Sequence, residues 1–172
     1  MDVVFDDHAL VVKIQTLADR LTHPRQLTRS LSLSLLHATE ENFKAEGRPK
    51  WAGLNPQYAA QRGKGKILQL SGALARSITP FSTDDVAGLS TNIPYAAIHQ
   101  FGGTTRPHVI KPKNAKALHF GGRFAKVVNH PGSKIPARPY LPILANGNLQ
   151  PEALEDVVDV IDHYWSQLLP TA

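Results

Sequence analysis

Apolar residues recur every three or four positions at both ends of the chain, a spacing typical of amphipathic helices. Near the N-terminus this pattern predicts one helix before Pro24 and a second over residues 26–45, which Gly47 and Pro49 end. The apolar positions are Leu10, Ile14, Leu17, Ala18 and Leu21 in the first helix and Leu27, Leu31, Leu35, Ala38 and Phe43 in the second. The clearest pattern predicts a helix over residues 150–169, with acids opposite an apolar face formed by Leu154, Val157, Val158, Ile161, Tyr164, Trp165, Leu168 and Leu169.

The middle of the chain carries shorter patterns that predict strands and turns. Residues 47–66 form a polar connector anchored by Trp51, Leu54 and Tyr58. Ser71 is placed to cap a short helix that starts near Gly72. Three strands are predicted, over residues 75–82, 86–91 and 139–144, and a short helix is predicted over residues 94–101, ended by Gly102 and Gly103. The expected fold class is therefore α+β, an antiparallel sheet packed against N-terminal and C-terminal helices.

Residues 103–136 are the least ordinary part of the chain. They are rich in Gly, Pro, Lys and His, with short β-like pieces at 109–110, 117–120 and 124–128. We expect a long β-hairpin or loop excursion, a feature that is usually either functional or mobile. The whole chain, 1–172, is interpreted as one domain: a helical start (1–46), a sheet-bearing body (47–102 and 137–145), the basic excursion (103–136) and the C-terminal helix (150–169).

Charge is strongly segregated along the chain, although the net charge is only +5. Residues 86–151 contain no Asp or Glu, and their cations are Arg106, Lys111, Lys113, Lys116, Arg123, Lys126, Lys134 and Arg138. Residues 152–172 contain no Lys or Arg but five acids, Glu152, Glu155, Asp156, Asp159 and Asp162. Such segregation can steer partners of opposite sign, including a second copy of this chain. Alternatively, the basic excursion and the acidic helix neutralise each other within one subunit.

Composition excludes several classes of protein. The 42% of apolar residues fits a globular protein with a core, and no apolar run is long enough for a membrane helix. The acidic residues 1–7 do not resemble a secretory signal, so we expect the protein to stay in the cytoplasm where it is made. The chain has no cysteine, which excludes disulfides, thiolate nucleophiles and cysteine-ligated metals. No cofactor, no small-molecule substrate and no membrane partner is expected.

Four short motifs together carry a resemblance to a known family. The first is carried by Trp51, Leu54, Pro56 and Tyr58; the second by Ile67, Leu68, Leu70, Ser71, Gly72, Leu74, Ser77 and Ile78; the third by Ile93, Pro94, Tyr95, Ala96, Ile98, His99, Gln100, Phe101, Gly102 and Gly103; the fourth by Ile135, Pro136, Ala137, Arg138, Pro139, Tyr140 and Leu141. In this order and spacing, over about residues 40–145, the chain resembles the phage virion-morphogenesis family, the tail-completion proteins of Mu-like phages and prophages.

The resemblance implies a structural protein without catalytic activity. It would act at the head–tail junction or on the finished tail, and it would make tails competent to join filled heads. The expected partners are further copies of itself in a ring, the tail tube or its terminator, and head and neck proteins. The expected location is the virion tail or neck, after assembly in the host cytoplasm.

The motif residues also have a direct physical interpretation. Tyr95, Ile98 and Phe101 are spaced to share one face of a short helix and pin it to the sheet, as ordinary core residues. Arg138 lies between two prolines and presents a fork suited to a carboxylate on a partner or on the acidic helix. The candidate interface residues are Arg106, Lys111, Lys113, Arg123, Lys126, Arg138 and Tyr140; the candidate structural residues are Trp51, Leu70, Gly72, Leu74, Tyr95, His99, Phe101, Gly102, Gly103 and Pro139.

Two other functions are compatible with the basic segment. A nucleic-acid-binding module would use its cations on phosphates and Phe101, Phe120 and Phe124 to stack bases. A metal-free ribonuclease would use His99 and His119 as acid and base, with Lys111 on the phosphorane. The histidines His99, His108, His119 and His130 are too widely spaced, and too far from any acid, to predict a metal site.

Overall fold

The computed structural model describes residues 8–120 and 122–168, so the acidic residues 1–7 and Leu169 lie outside the described part. The described elements are, in chain order, α1 (His8–Thr22), α2 (Arg25–Ala45), α3 (Pro56–Arg62), α4 (Ala73–Ser77), β1 (Thr79–Ser82), β2 (Ala87–Ser90), α5 (Ala96–Phe101), β3 (Gly103–Thr104), β4 (His108–Ile110), β5 (Leu118–Phe120), β6 (Arg123–Ala125), β7 (Val128–His130), β8 (Lys134–Ile135) and α6 (Pro151–Leu168). The predicted α+β class is confirmed. The strands form separate antiparallel pairs instead of one sheet. No helix in the described ranges is long and apolar enough to cross a membrane.

Helix α2 lies at the centre of the body, in contact with α6 and with both strands of the β1–β2 hairpin. Its buried residues are mostly small or polar: Thr28, Ser32, Ala38, Thr39, Asn42 and Phe43. Small side chains let neighbouring elements approach closely, and the hydroxyls of Ser32 and Thr39 are satisfied by α2 carbonyls at 2.8 Å. The predicted stripe of Leu27, Leu31 and Leu35 is only half-buried.

The hydrophobic core is organised around three aromatic rings. Phe43 of α2 stacks on Tyr140 with ring centroids 5.4 Å apart and meets the edge of Trp51 at 5.8 Å. The Trp51 Nε1–H donates to the Pro139 carbonyl at 2.8 Å, which satisfies the polar end of this buried ring. Leu74, Ile78 and Ala96 complete the buried cluster.

The predicted strand pair is present with a shifted start. Thr79 pairs with Ser90 and Ser82 with Ala87, and the Thr83 N–H closes the predicted turn on the Val86 carbonyl at 2.8 Å. The first strand begins at Thr79 because residues 73–77 continue the short helix α4.

Residues 139–144 do not form the predicted strand. Pro139 and Pro142 have no N–H to donate to a ladder. The available amides are used elsewhere: Tyr140 and Leu141 donate to the Gln100 side-chain carbonyl, at 2.9 and 3.0 Å. A buried glutamine thus replaces a neighbouring strand, and the segment is fixed against α5.

Residues 103–136 form the predicted long hairpin, here called the ribbon. Three antiparallel pairs are nested within it: β3 with β8, β4 with β7 and β5 with β6. His108 pairs with His130 near the middle, and Phe120 pairs with Arg123 at the far end. The ribbon begins directly after α5 and returns directly to the buried segment at Arg138.

Gly102 fixes the angle at which the ribbon leaves α5. Its φ is +72°, and a Cβ there would lie 2.8 Å from the Ala137 nitrogen and 3.1 Å from the Ile135 carbonyl oxygen, both backbone atoms. We expect Gly102→Ala to lower the free energy of unfolding by about 2 kcal/mol, because it combines left-handed strain with a backbone clash. The measurement is the urea midpoint. Gly147→Ala is the matched control, with φ +86° and open space around its Cβ, so it carries the strain alone. Equal losses in the two variants would contradict the close-approach argument.

Candidate functional site

The four motif segments meet around one groove of about 730 Å³ beside the base of the ribbon. Its lining comes from residues that are far apart in sequence: Leu54, Asn55, Tyr58, Arg62, Leu68, Leu70, Ser71, Leu74, Tyr95, His99, Ser133, Lys134, Ile135, Pro136 and Arg138. Every motif contributes side chains to this lining. The groove volume lies within the range of about 300–1,000 Å³ seen for ligand and peptide pockets.

One wall of the groove is a helix that the sequence analysis missed. Helix α3 begins at Pro56 and is capped by the Asn55 side chain, which accepts from the Gln57 N–H at 3.0 Å and the Tyr58 N–H at 3.3 Å. An asparagine followed by proline at the first helical position is a recognised start signal. The Gly- and Lys-rich residues that follow it obscured this signal.

Large apolar side chains are exposed at the rim of the groove. Leu70 is 64% exposed, Tyr58 48% and Tyr95 44%. The expectation that Tyr95 and Phe101 pack in the core is wrong, since Phe101 is 77% exposed. Helix α5 begins at Ala96 and is only six residues long, and its buried positions are Ala96 and Gln100. The spacing correctly predicts a helix, but its buried side carries Ala96 and Gln100, and Tyr95 and Phe101 are exposed.

Arg138 and Tyr140 lie inside the subunit, which corrects their expected exposure as interface residues. Arg138 is 7% exposed, and its guanidinium donates to the carbonyls of Ala52 and Gly53, each at 2.9 Å. Tyr140 is 2% exposed and packs on Phe43. Burial lowers the pKa of Arg138 and raises the pKa of Tyr140. The fork of Arg138 therefore binds backbone carbonyls of its own chain, where a partner carboxylate was expected.

The groove is cationic. Arg62, Lys134 and Arg138 contribute their charges to it, and none of its described lining residues is acidic. Burial, followed by the nearby Arg138 charge, lowers the pKa of His99, so this side chain is neutral at pH 7. Two buried polar atoms, Arg62 Nε and His99 Nδ1, have no hydrogen-bond partner in residues 8–120 and 122–168. Both belong to residues that line the groove.

The other structural motif residues have local roles. Leu74 is 2% exposed and lies in the core, and Gly72 is left-handed at the N-terminus of α4, with φ +67°. Ser71 Oγ accepts from the Ala73 N–H at 3.3 Å, but the N-cap residue of α4 is Gly72 and not the predicted Ser71. Gly103 begins the ribbon by pairing with Ile135, and Pro139 accepts the hydrogen bond from Trp51.

The ribbon presents its cations to solvent. Arg106, Lys111, Lys113, Lys116, Arg123, Lys126 and Lys134 are all exposed, as are the apolar side chains of Val109, Phe124 and Val127. Within the described residues there is one ion pair, Lys44 with Glu41, and one histidine–carboxylate contact, His23 with Asp84. Neither pair involves the ribbon or α6, so neutralisation of one by the other within a subunit is not observed in that part of the chain.

The histidines do not assemble into the proposed ribonuclease site. His99 lines the groove, whereas His119 lies on β5 with its ring 4.6 Å from that of Phe124, and neither His119 nor Lys111 is among the groove residues. His108 and His130 face each other across the ribbon with ring centroids 5.0 Å apart. Across residues 8–120 and 122–168, no group of three or more His, Cys, Asp or Glu could hold a metal ion.

Helix α6 has two apolar sides, of which the sequence analysis distinguished only one. Ala153 and Tyr164 are buried, and the Tyr164 hydroxyl donates to the Arg20 carbonyl at 3.0 Å. A second stripe is exposed: Leu154 at 51%, Val158 at 45% and Trp165 at 40%.

Comparison with known proteins gives consistent matches. The sequence profile described as the phage virion morphogenesis family matches residues 5–166. A Mu-like prophage FluMu G protein 2 from Haemophilus influenzae is 31% identical over 156 residues, which cover 91% of this chain and 88% of that protein. A proposed capsid assembly protein G of Escherichia phage Mu is 37% identical over 106 residues, covering 55% of this chain and 68% of that protein. No solved structure matches the chain significantly.

Proposed function

Because the chain belongs to the phage virion morphogenesis family, we propose that it is a structural protein that completes the phage tail and joins it to the head. It acts by assembling with further copies of itself and with tail and neck proteins, and it catalyses no reaction. In the finished particle it lies in the tail or neck.

The distribution of exposed charge carries this proposal. Seven exposed cations lie on the ribbon, and α6 carries five acids with no Lys or Arg. Charges that have no ion-pair partner among the described residues are available to orient neighbouring subunits, because complementary potentials set association rate and register. The exposed Leu70, Phe101, Phe124 and Trp165 add apolar contact area of the kind that assembly interfaces bury.

Two alternatives have support of their own. The name of the phage Mu relative suggests capsid assembly. The ribbon favours nucleic-acid binding, since it carries seven exposed cations and Phe124 is 76% exposed, as a stacking platform would be. A protein near the path of DNA through the neck would also carry such charges, so phosphate affinity by itself does not distinguish these functions.

Electron microscopy of lysates from a phage or induced prophage that lacks this gene separates the candidates. We expect DNA-filled heads beside separate, unattached tails, and joined particles when the gene is supplied from a plasmid. Normal joined particles in the deletion lysate would overturn the proposal. An absence of mature heads would assign the protein to capsid assembly instead.

A second measurement addresses the nucleic-acid alternative. Replacement of Lys111, Lys113, Arg123 and Lys126 by Gln should leave purified protein folded, because all four side chains are exposed. If the ribbon acts through nucleic acid, DNA binding by the unaltered protein will weaken steeply as salt is raised. In a plot of the logarithm of the binding constant against the logarithm of the salt concentration, the slope of the four-site variant will be smaller by roughly four. We expect no such binding at physiological salt.

A further inference from the structure

We propose that the groove binds the exposed apolar stripe of α6 from a second copy of this chain, so that subunits associate head to tail. This inference rests on the proposed assembly function and specifies the contact that performs it. It assigns one occupant to the groove, a helix whose chemistry is present in the same sequence.

The first support is the geometry of the α6 stripe. Leu154, Val158 and Trp165 lie at steps of four and seven, and the half-buried Ile161 lies between the last two. These are the anchor positions with which an amphipathic helix enters an apolar groove. The groove volume of about 730 Å³ is large enough for the side chains of one such stripe.

The second support is charge complementarity. Helix α6 contains Glu152, Glu155, Asp156, Asp159 and Asp162 and no Lys or Arg. The groove presents Arg62 and Lys134, the buried Arg138 adds its charge without exposing its guanidinium, and the described lining contains no acid. The rest of the ribbon adds six further exposed cations, so the positive charge continues beyond the groove. Acids that flank the apolar stripe would therefore meet cations along the whole contact.

The third support is the pair of unsatisfied donors in the groove. Arg62 Nε is a permanent donor, and the neutral His99 ring can present an N–H at Nδ1. Both atoms are buried, so carboxylates of α6 would reach them only as the Arg62 and His99 side chains turn toward the groove. The rim side chains Tyr58, Leu70 and Tyr95 would become buried in the same contact.

The contact would be heterologous. The groove is built from residues 54–74, 95–99 and 133–138, whereas α6 packs on α2 and contributes nothing to the described lining. Each subunit therefore offers one groove and one stripe at different places. Repetition of such a contact gives a closed ring when the rotation closes and a filament when it does not.

Two single variants test the contact. Leu70→Asp alters the groove and Leu154→Asp alters the stripe, and both positions are more than half exposed, at 64% and 51%. Leu33→Asp is the matched control, since Leu33 is an exposed leucine of α2 that lies in neither surface, at 49% exposure. Circular dichroism and the melting temperature verify that all three variants remain folded.

Sedimentation velocity then measures assembly up to about 100 μM, where a contact of micromolar affinity is occupied. We expect the unaltered protein and Leu33→Asp to form larger oligomers that dissociate at high salt. Each of the two interface variants should weaken association by about tenfold or more. An unaltered protein that stays monomeric over this range, or interface variants that assemble like Leu33→Asp, would overturn the proposal.

Mixing the two variants tests the head-to-tail arrangement. A Leu70→Asp subunit retains its stripe and a Leu154→Asp subunit retains its groove, so an equimolar mixture should stop at heterodimers. A mixture that remains monomeric would contradict a heterologous contact. This assay uses purified protein, whereas the deletion lysate tests the phage role, so failure of one is distinguishable from failure of the other.

Discussion

Arg138→Ala is expected to destabilise the folded subunit by about 3–4 kcal/mol, with any effect on assembly following from lost folding. The guanidinium is 7% exposed and supplies both hydrogen bonds to the Ala52 and Gly53 carbonyls. Truncation removes two charge-assisted bonds, leaves acceptors without partners and opens a cavity, and each unsatisfied buried group costs about 1–3 kcal/mol. The loss should be read from urea unfolding of purified protein.

Arg138→Lys is the informative companion variant. It keeps the charge and most of the aliphatic chain, but an ammonium lacks the planar fork that reaches two carbonyls together. We expect it to recover part of the lost stability, so that its urea midpoint lies between those of the original protein and Arg138→Ala. If Arg138→Ala unfolded at the original midpoint yet failed to assemble, the interface role first expected for this residue would stand.

The correction of Arg138 illustrates what sequence can and cannot provide. Two flanking prolines correctly indicate an extended segment with a rigidly presented arginine. The identity of the acceptors depends on the position of residues 52–53, which are more than eighty positions earlier in the chain. No local pattern encodes that distance. The predicted acceptor for Arg138 was therefore a carboxylate, whereas the observed acceptors are two backbone carbonyls.

Elements with a long periodic pattern were predicted well, because the pattern is local and repeats over many residues. Helices α2 and α6 are 21 and 18 residues long and carry many turns of one pattern. Short elements depend on single signals, and α3 was missed because its evidence is confined to Asn55 and Pro56. The strand expected over residues 139–144 failed because Gln100, from a distant helix, takes the amide hydrogen bonds that a strand would have used.

The candidate groove could not be predicted as a surface, although its residues were recognised. The motifs mix side chains that build the core, such as Trp51 and Leu74, with side chains that line or border the groove, such as Leu70 and Tyr95. Sequence spacing places these residues on common helices and turns. Only the packed structure divides them into buried and exposed sets, because that division depends on the angles between elements.

In the buried polar network around Asn42, substitutions should have strongly non-additive effects on the free energy of unfolding. Asn42 is fully buried and donates to the Tyr140 carbonyl at 3.1 Å and to the Gln150 side-chain carbonyl at 2.9 Å, while Arg48 donates to its Oδ1 at 2.9 Å. Gln150, at 1% exposure, also donates to the Arg48 carbonyl. The network thus joins α2, the segment after the ribbon and the residue that precedes α6.

Asn42→Ala is expected to lower the free energy of unfolding by about 3–5 kcal/mol, because it leaves three partners unsatisfied in a site closed to water. Gln150→Ala should cost about 2–3 kcal/mol by the same reasoning. The double variant should cost at least about 1 kcal/mol less than the sum, since both substitutions remove the bond they share. Urea unfolding of the four proteins closes this cycle. Strictly additive losses would mean that the two side chains stabilise the subunit independently. The coupling between α2 and α6 would then depend on other residues of their contact.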